Sequence, residues 1–289
     1  MTKFIAVSNR RGGVGKSTVT LMLACGLCAQ SKSVLVVDLD PQSSTTSVFL
    51  RESDWKRRRE SDLTVAGYLR RTIVLRQNAP IADFIAEQGV HQLVPPQSFF
   101  RAGIQQLPPL RIVPCSSDLD DREMEMLLTV FGYNRGLADA INDIQHRTRE
   151  AIKALGVGHD YVIVDCPPGL SNIVWGALAA ADGILIPYVA DPTAESNIEW
   201  LLGNLDKRGI AARRATIPNR YTGKDGQSGF RTGVESRCPG FEDFYIRRTV
   251  QLERSLALPH KPFTLTARFG RAQRLVRDLA TRVLEWPPA

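Results

Sequence analysis

The sequence predicts an α/β fold: a doubly wound, mostly parallel sheet with helices on both faces. Three observations predict it. Phe4-Ile5-Ala6-Val7 is an apolar run followed by a glycine-rich loop and a helix-like segment from Lys16 to about Gln30. Val34 to Val37 and Tyr161 to Val164 are fully apolar runs that each end in an acid, as strands buried on both faces do at an active edge. Helix-like and strand-like stretches alternate along the chain, the pattern of parallel sheets.

The first element carries the most chemistry. Arg10-Arg11-Gly12-Gly13-Val14-Gly15-Lys16-Ser17-Thr18 places glycines where a tight loop needs positive φ and where N–H groups must approach phosphate oxygens. The following helix adds the positive end of its dipole. Lys16 is placed to reach β- and γ-phosphates, and the Ser17 hydroxyl to hold Mg²⁺. A dinucleotide fold would want a third glycine near Thr18 and no lysine. The usual phosphate loop has a glycine five residues before Gly15, where this chain has Arg10. Residues 11 to 17 resemble the KGGxGK[ST] loop of the ParA/MinD family of deviant Walker A ATPases, with the family's first lysine replaced by Arg11.

The second strand ends in Asp38-Leu39-Asp40-Pro41-Gln42. Side chains two apart on a strand share a face, so both acids can point toward the loop. The resemblance implies that Asp38 helps organise the Mg²⁺ water shell and that Asp40 positions the attacking water. Arg51 to Glu60, with its Lys56 to Arg59 run, reads as a solvated loop. Helices are expected near 63–71 and 81–87, and an irregular Pro- and Gln-rich excursion over 89–110. Leu110 to Pro114 reads as a strand, followed by the acidic run Asp118 to Glu125.

A helical pattern over 144–155 leads to the strand ending in Asp165-Cys166-Pro167-Pro168. The resemblance makes this the Walker B element, with Asp165 contacting Mg²⁺ through water. Helix then strand repeats over 177–181 and 183–187, and 215–218 is a further strand ending at Asn219. In the family an asparagine at this place reads the adenine edge, which implicates Asn219. Tyr221 to Gly240, polar and Gly-rich, reads as a loop, and Phe244 to Val250 resembles the last strand and the segment passing the base. From about Ala267 to Glu285 a helix is expected with Leu275, Val276, Leu279 and Val283 inward. Its Arg271, Arg274 and Arg282 fall along one margin, with Arg277 further round and Arg268 nearer the core.

With 289 residues, 43% of them hydrophobic, one domain over 1–289 with insertions near 50–110 and 221–243 is expected. A net charge of +7 favours a polyanionic partner. Five cysteines, at 25, 28, 115, 166 and 238, form no disulfide-like framework and read as reduced, buried thiols. No apolar run is long enough for a membrane span, and the first strand starts at once. A cytoplasmic protein is expected, nucleoid-associated if it binds DNA, and without a DNA-reading domain ahead of the loop.

The resemblance implies a slow, partner-stimulated ATP hydrolase. ATP and Mg²⁺ would close a homodimer that binds nonspecific DNA, a separate adaptor would activate hydrolysis, and a plasmid, chromosome or protein cluster would be the cargo. The alternatives of the same fold are an ATP-dependent small-molecule ligase and a membrane-directed MinD-like ATPase. An electron-transferring iron protein would need two cysteines facing the dimer axis, which Cys25 and Cys28 do not provide.

Overall fold

The computed structural model describes residues 1–87, 108, 110–133, 136–223, 227–250, 252 and 268–286. Most of the expected excursion over 89–110 lies outside them. The strands are β1 (Lys3–Val7), β2 (Val34–Asp38), β3 (Leu110–Val113), β4 (Tyr161–Asp165), β5 (Gly183–Val189), β6 (Arg213–Tyr221) and β7 (Ile246–Arg247). They form one sheet in the order β3-β2-β4-β1-β5-β6-β7, and every pairing between them is parallel.

Between the strands run α1 (Lys16–Cys28), α2 (Ser44–Phe49), α3 (Glu52–Glu60), α4 (Val65–Leu69), α5 (Ile81–Phe84), α6 (Leu119–Phe131), α7 (Leu137–Ala154), α8 (Asn172–Ala180), α9 (Ala194–Lys207), α10 (Gln227–Arg237) and α11 (Gln273–Glu285). Strand alternation divides the apolar side chains between two cores. Phe4, Ala6, Leu35, Val37, Val162 and Val164 meet the layer that holds α4 and α6 to α9. Ile5, Val7, Val34, Val36, Tyr161 and Ile163 meet the layer of α1 and α11. Helix α1 has no polar stripe because it is buried nearly all round, between the sheet and α11. The two helices cross closely at Gly26, where a Cβ would stand 2.5 Å from the Val276 carbonyl oxygen and 2.8 Å from Ala280 Cβ.

Several local expectations are corrected. Residues 52–60 are helix α3, not a loop. Acids in its first turn and bases in its last complement the helix dipole. Arg57 pairs with Asp54 at 2.7 Å, Arg59 lies over the Trp55 ring, and Arg58 donates to the Asp83 and Ile85 carbonyls. Its basic run is therefore partly engaged locally. Residues 227–237 form α10 where a loop was expected, held by Val234 in the core and by Arg231–Glu235 at 2.6 Å. The acidic run over 118–125 opens α6, with carboxylates in the first turn. Helix α5 stops at Phe84 because Ala86 bridges Ile112 in antiparallel fashion. Helix α4 passes into a π-helical turn over Arg70–Val74, and the last strand shrinks to Ile246–Arg247. All five cysteines are buried and free. Among the described residues, no helix is long and apolar enough to cross a membrane.

Candidate functional site

The register brings the three motifs to one edge. Val7 at the end of β1 lies beside Asp165 at the end of β4, which in turn lies beside Asp38 at the end of β2. Chain order reverses here, since β4 enters between β1 and β2, and such crevices at the carboxyl edge are where ligands bind in open parallel sheets.

The loop leaving β1 is shaped by its glycines. Gly13 and Gly15 take φ of +72° and +95°, and Gly15 caps α1 in the left-handed region. A Cβ on Gly15 would lie 2.0 Å from the Asn219 amide nitrogen, so a second constraint demands glycine there. Asn219, buried at the end of β6, donates through Nδ2 to the Val14 carbonyl at 2.7 Å and so braces the loop from across the sheet. Asn9 braces it from the front: its Nδ2 donates to the Pro187 carbonyl and its Oδ1 accepts from the Arg11 N–H, both at 2.9 Å.

A cavity of about 300 Å³ opens above the loop, lined by Gly12, Gly13, Gly15, Lys16, Ser17 and Thr18, with Asp40, Gln42, Ser44, Pro168 and Arg220 opposite. Lys16 is buried, and its Nζ donates to the Arg11 carbonyl at 3.1 Å. Burial pulls this ammonium below its ordinary range, against the opposing field of Asp165, Cys166 and Asp40. A desolvated cation at a glycine loop that opens a helix suits an anion such as a polyphosphate. A second cavity of about 140 Å³ shares Gly15, Thr18 and Arg220 with the first and continues to Asn219, Arg247, Arg248 and Leu252. Asn219 lines this second cavity, next to the Gly15, Thr18 and Arg220 that the two cavities share.

The acids are held differently. Asp38 is fully buried; its Oδ2 accepts from Thr46 N and Oγ1 at 2.8 and 2.7 Å, and its Oδ1 from Asp40 N at 3.0 Å. Burial, then the neighbouring Asp165 charge, pushes it to about 8. Asp165 accepts from Thr45 Oγ1 at 2.5 Å, while its buried Oδ1 has no hydrogen-bond partner of normal geometry. Burial raises Asp165 to about 6 despite the hydroxyls of Thr45 and Ser17 beside it. Two buried carboxylates, one with an orphaned oxygen, beside a serine hydroxyl fit a hard divalent cation that keeps most of its waters. No cluster of three or more acid, His or Cys ligands exists among the described residues, so any such ion would rest largely on phosphate and water. Asp40 instead faces the cavity, with its Oδ1 accepting from Gln42 N at 2.9 Å.

Arg11 stands apart from the residues that line the cavity. Its guanidinium pairs with Asp191 and donates to Thr193 Oγ1 at 2.8 Å, at the entrance to α9. Neighbouring Arg10 stacks over Trp200 of α9, 4.6 Å from the ring centre.

The expected arginine margin is only partly present. Arg271, Arg274 and Arg277 are exposed, but Arg271 lies in a 3₁₀ turn (Gly270–Ala272) ahead of α11, so helical spacing does not reach it. Arg282 leaves the margin: it pairs with Asp278 at 3.1 Å, donates to the Glu242 carbonyl and covers the Phe244 ring. Arg268 is buried close to Cys25, on the core side as expected.

Sequence reasoning missed Asn9, Thr45, Thr46, Asp191 and Arg220, whereas Arg247 and Arg248 lie in the 244–250 segment expected to pass the base. Thr45 and Thr46, just beyond the Asp38 to Gln42 motif, were findable as hydroxyls able to cap its acids. The others reach the site only through the sheet order.

A model of an AAA domain family (AAA_31) matches residues 2–210. The chain is 29% identical over 210 residues to the chromosome partitioning protein ParA of Myxococcus xanthus, a match covering 72% of this chain and 60% of that protein. The matched part thus spans less than two thirds of that relative. Among solved structures, a putative plasmid partition protein from Borrelia burgdorferi bound to AMPPNP superposes with a TM-score of 0.70 at 18% identity, covering 98% of this chain and 100% of that one. Cobyrinic acid a,c-diamide synthase from Mycobacterium smegmatis, with bound ATP analogue and magnesium, gives 0.64 at 21%, covering 99% and 97%. At these identities the structural likeness speaks for the fold alone. With the deviant phosphate loop, the paired acids and the parallel sheet in place, the chain belongs to the AAA_31 family of AAA domains and is a P-loop ATPase of the ParA/MinD type.

Proposed function

We propose that the chain is an ATP-dependent, dimerising switch that binds nonspecific DNA and positions or partitions a cargo, hydrolysing ATP slowly until a separate adaptor stimulates it. The observation that carries the reading is the 300 Å³ cavity in which Lys16, the loop glycines and Asp40 converge. The backbone N–H groups of residues 12 to 18 and Lys16 bind the phosphates, and Asn219 with the Arg247 and Arg248 segment receives the base. Ser17 directly, and Asp38 and Asp165 through water, would hold Mg²⁺, which supplies charge neutralisation on the β- and γ-phosphates. Asp40 orients the attacking water by accepting its hydrogen bond on the open side of the cavity. The partitioning name of the Myxococcus relative supports the cargo part of the reading, and the net charge of +7 supports a polyanionic surface. The protein then acts in the cytoplasm, on the nucleoid.

Arg11 enters from the partner subunit in this reading, as an arginine making planar, bidentate contact with phosphate oxygens. Its pairing with Asp191 within one chain is then the unliganded arrangement. Mixing Arg11→Ala subunits with subunits lacking Lys16 tests this. Hydrolysis by the mixture that differs from both parent mixtures supports action in trans, and no difference overturns it.

The ligase reading has less support. The cavity of about 180 Å³ beside Asp40 is walled by Asp120 and Glu123, which would repel a small carboxylic acid. The deciding experiment is ATP-dependent cosedimentation with DNA of arbitrary sequence alongside size exclusion with ATP. A DNA-bound dimer supports the switch, and turnover that requires a small acid with no DNA binding overturns it.

A further inference from the structure

Helix α6 is amphipathic in an unusual sense: its outer face is apolar too. Leu119, Met126 and Val130 face the core. Met124, Leu128 and Phe131, at i, i+4 and i+7, form a stripe on the other side that is 57%, 64% and 46% exposed. Tyr133, two residues beyond α6, and Leu137, the first residue of α7, are exposed as well. These five are among eleven large apolar side chains standing exposed in the described residues, and they fall within fourteen positions. Scattered exposed apolar residues need no explanation, but a contiguous stripe with a polar rim marks an interaction surface.

The rim is acidic on a chain whose net charge is positive. From 118 to 143 the sequence has seven acids (Asp118, Asp120, Asp121, Glu123, Glu125, Asp139, Asp143) and two bases, Arg122 and Arg135. Arg122 is taken by Asp118 and Asp62, and Glu125 pairs with Arg70. Asp120, Asp121 and Asp139 make no ion pair among the described residues. The charge decides between occupants. A twofold pairing of this face with itself would oppose like charges. An anionic membrane or a nucleic acid would be repelled, since interfacial helices and phosphate binders need Lys and Arg at the rim. A basic polypeptide segment with apolar anchors at helical spacing is complementary on both counts.

The same helix touches the hydrolytic edge. Glu123 Oε1 accepts from Asn172 N at 2.8 Å and Ile173 N at 3.4 Å, capping α8 directly after the Pro167–Ser171 loop. Asp120 and Glu123 share the 180 Å³ cavity with Asp40, Gln42 and Pro168. A ligand on the outer stripe would therefore press on a helix whose first turns wall the site where water attacks.

We propose that the α6 stripe and its acidic rim are the docking face for a basic amphipathic segment of the hydrolysis-stimulating partner, an inference that rests on the partner-stimulated reading above. The probe is a labelled helical peptide of about 18 residues with Leu at i, i+4 and i+7 spacing and Lys elsewhere, against a twin with Glu in place of Lys. Fluorescence anisotropy with the full chain should show saturable binding of the Lys peptide only, weakening as salt rises from roughly 50 to 300 mM. Met124→Gln with Leu128→Gln, and separately Asp121→Lys with Asp139→Lys, should each lower affinity about tenfold or more at unchanged thermal stability and nucleotide affinity. Equal binding by these variants, equal binding of the Glu peptide, or no binding by the parent chain overturns the proposal. So does self-association of the parent that the stripe variants abolish, since the occupant is then a second copy. Peptide binding by a chain that turns over no ATP would leave the docking face standing and overturn the ATPase reading instead.

Discussion

At the level of single residues, the site combines one desolvated cation with buried acids of differing exposure to the cavity. Lys16→Ala removes the buried charge that lines the loop cavity, and on the proposed function ATP affinity should fall on the order of 100-fold in a fluorescent-nucleotide titration, equivalent to roughly 2.7 kcal/mol. Asp40→Ala removes a group that faces the cavity and that, on the proposed function, orients water and does not neutralise phosphate. Nucleotide binding should persist, while turnover falls on the order of 10² to 10⁴ and an ATP-bound dimer accumulates in size exclusion. A monomer that still binds ATP would count against the role. Asp38 and Asp165 give a pH signature. Both sit above the ordinary carboxylate range when folded, at about 8 and about 6, so the native chain binds more protons than the unfolded one between about pH 4 and 8. Stability without nucleotide should therefore be greatest at the acid end of that window and fall as pH rises through it. Magnesium with an ATP analogue, which favours the ionised acids, should flatten the decline, as should Asp38→Asn. Melting temperatures taken across the window check both, and a rise toward pH 8 in the free chain would contradict the burial of these acids.

Among the elements, the contact between α1 and α11 depends closely on the missing side chain of one residue. Gly26 lies in mid-helix, where alanine is ordinarily worth about 1 kcal/mol over glycine. Here the added carbon would meet the Val276 carbonyl oxygen at 2.5 Å, and overpacking typically costs about 1 to 3 kcal/mol. Gly26→Ala should thus lower the melting temperature by several degrees, where Gly→Ala in an open helix would raise it. An increase would show that α11 can shift away without loss. Because α1 begins at the phosphate loop, the same variant should also weaken nucleotide binding, which separates this contact from a purely local packing defect.

Across the whole molecule, charge is distributed unevenly. The chain is basic, yet α6 and its surroundings are acidic, and Arg271, Arg274 and Arg277 are exposed on and ahead of α11, on the other face of the sheet. If those arginines bind phosphates, DNA affinity should appear with ATP, ignore sequence and fall steeply with salt. Arg271→Glu with Arg274→Glu should then abolish retention on DNA with ATP binding intact. Arg282→Glu should act through stability instead, since its guanidinium is spent on Asp278, Glu242 and the Phe244 ring. Retention of the Arg271/Arg274 double variant at equal salt would move the binding surface elsewhere.

The sequence alone determined the parallel α/β class, the order of the phosphate loop and its acids, and the kinship with ParA/MinD ATPases. Glycine positions, strand-ending acids and buried apolar runs are local constraints, legible wherever a backbone angle or a strand end demands one residue type. What it missed were the helices of residues 52–60 and 227–237. Their polar composition matches a loop, and their order comes from ion pairs and from contacts with distant carbonyls and core residues that composition does not reveal. Only the tertiary structure placed Asn219 against the Val14 carbonyl, Arg11 on Asp191 and Arg282 inward. Each depends on which strand ends and helices become neighbours, a matter of long-range register that no spacing along the chain encodes.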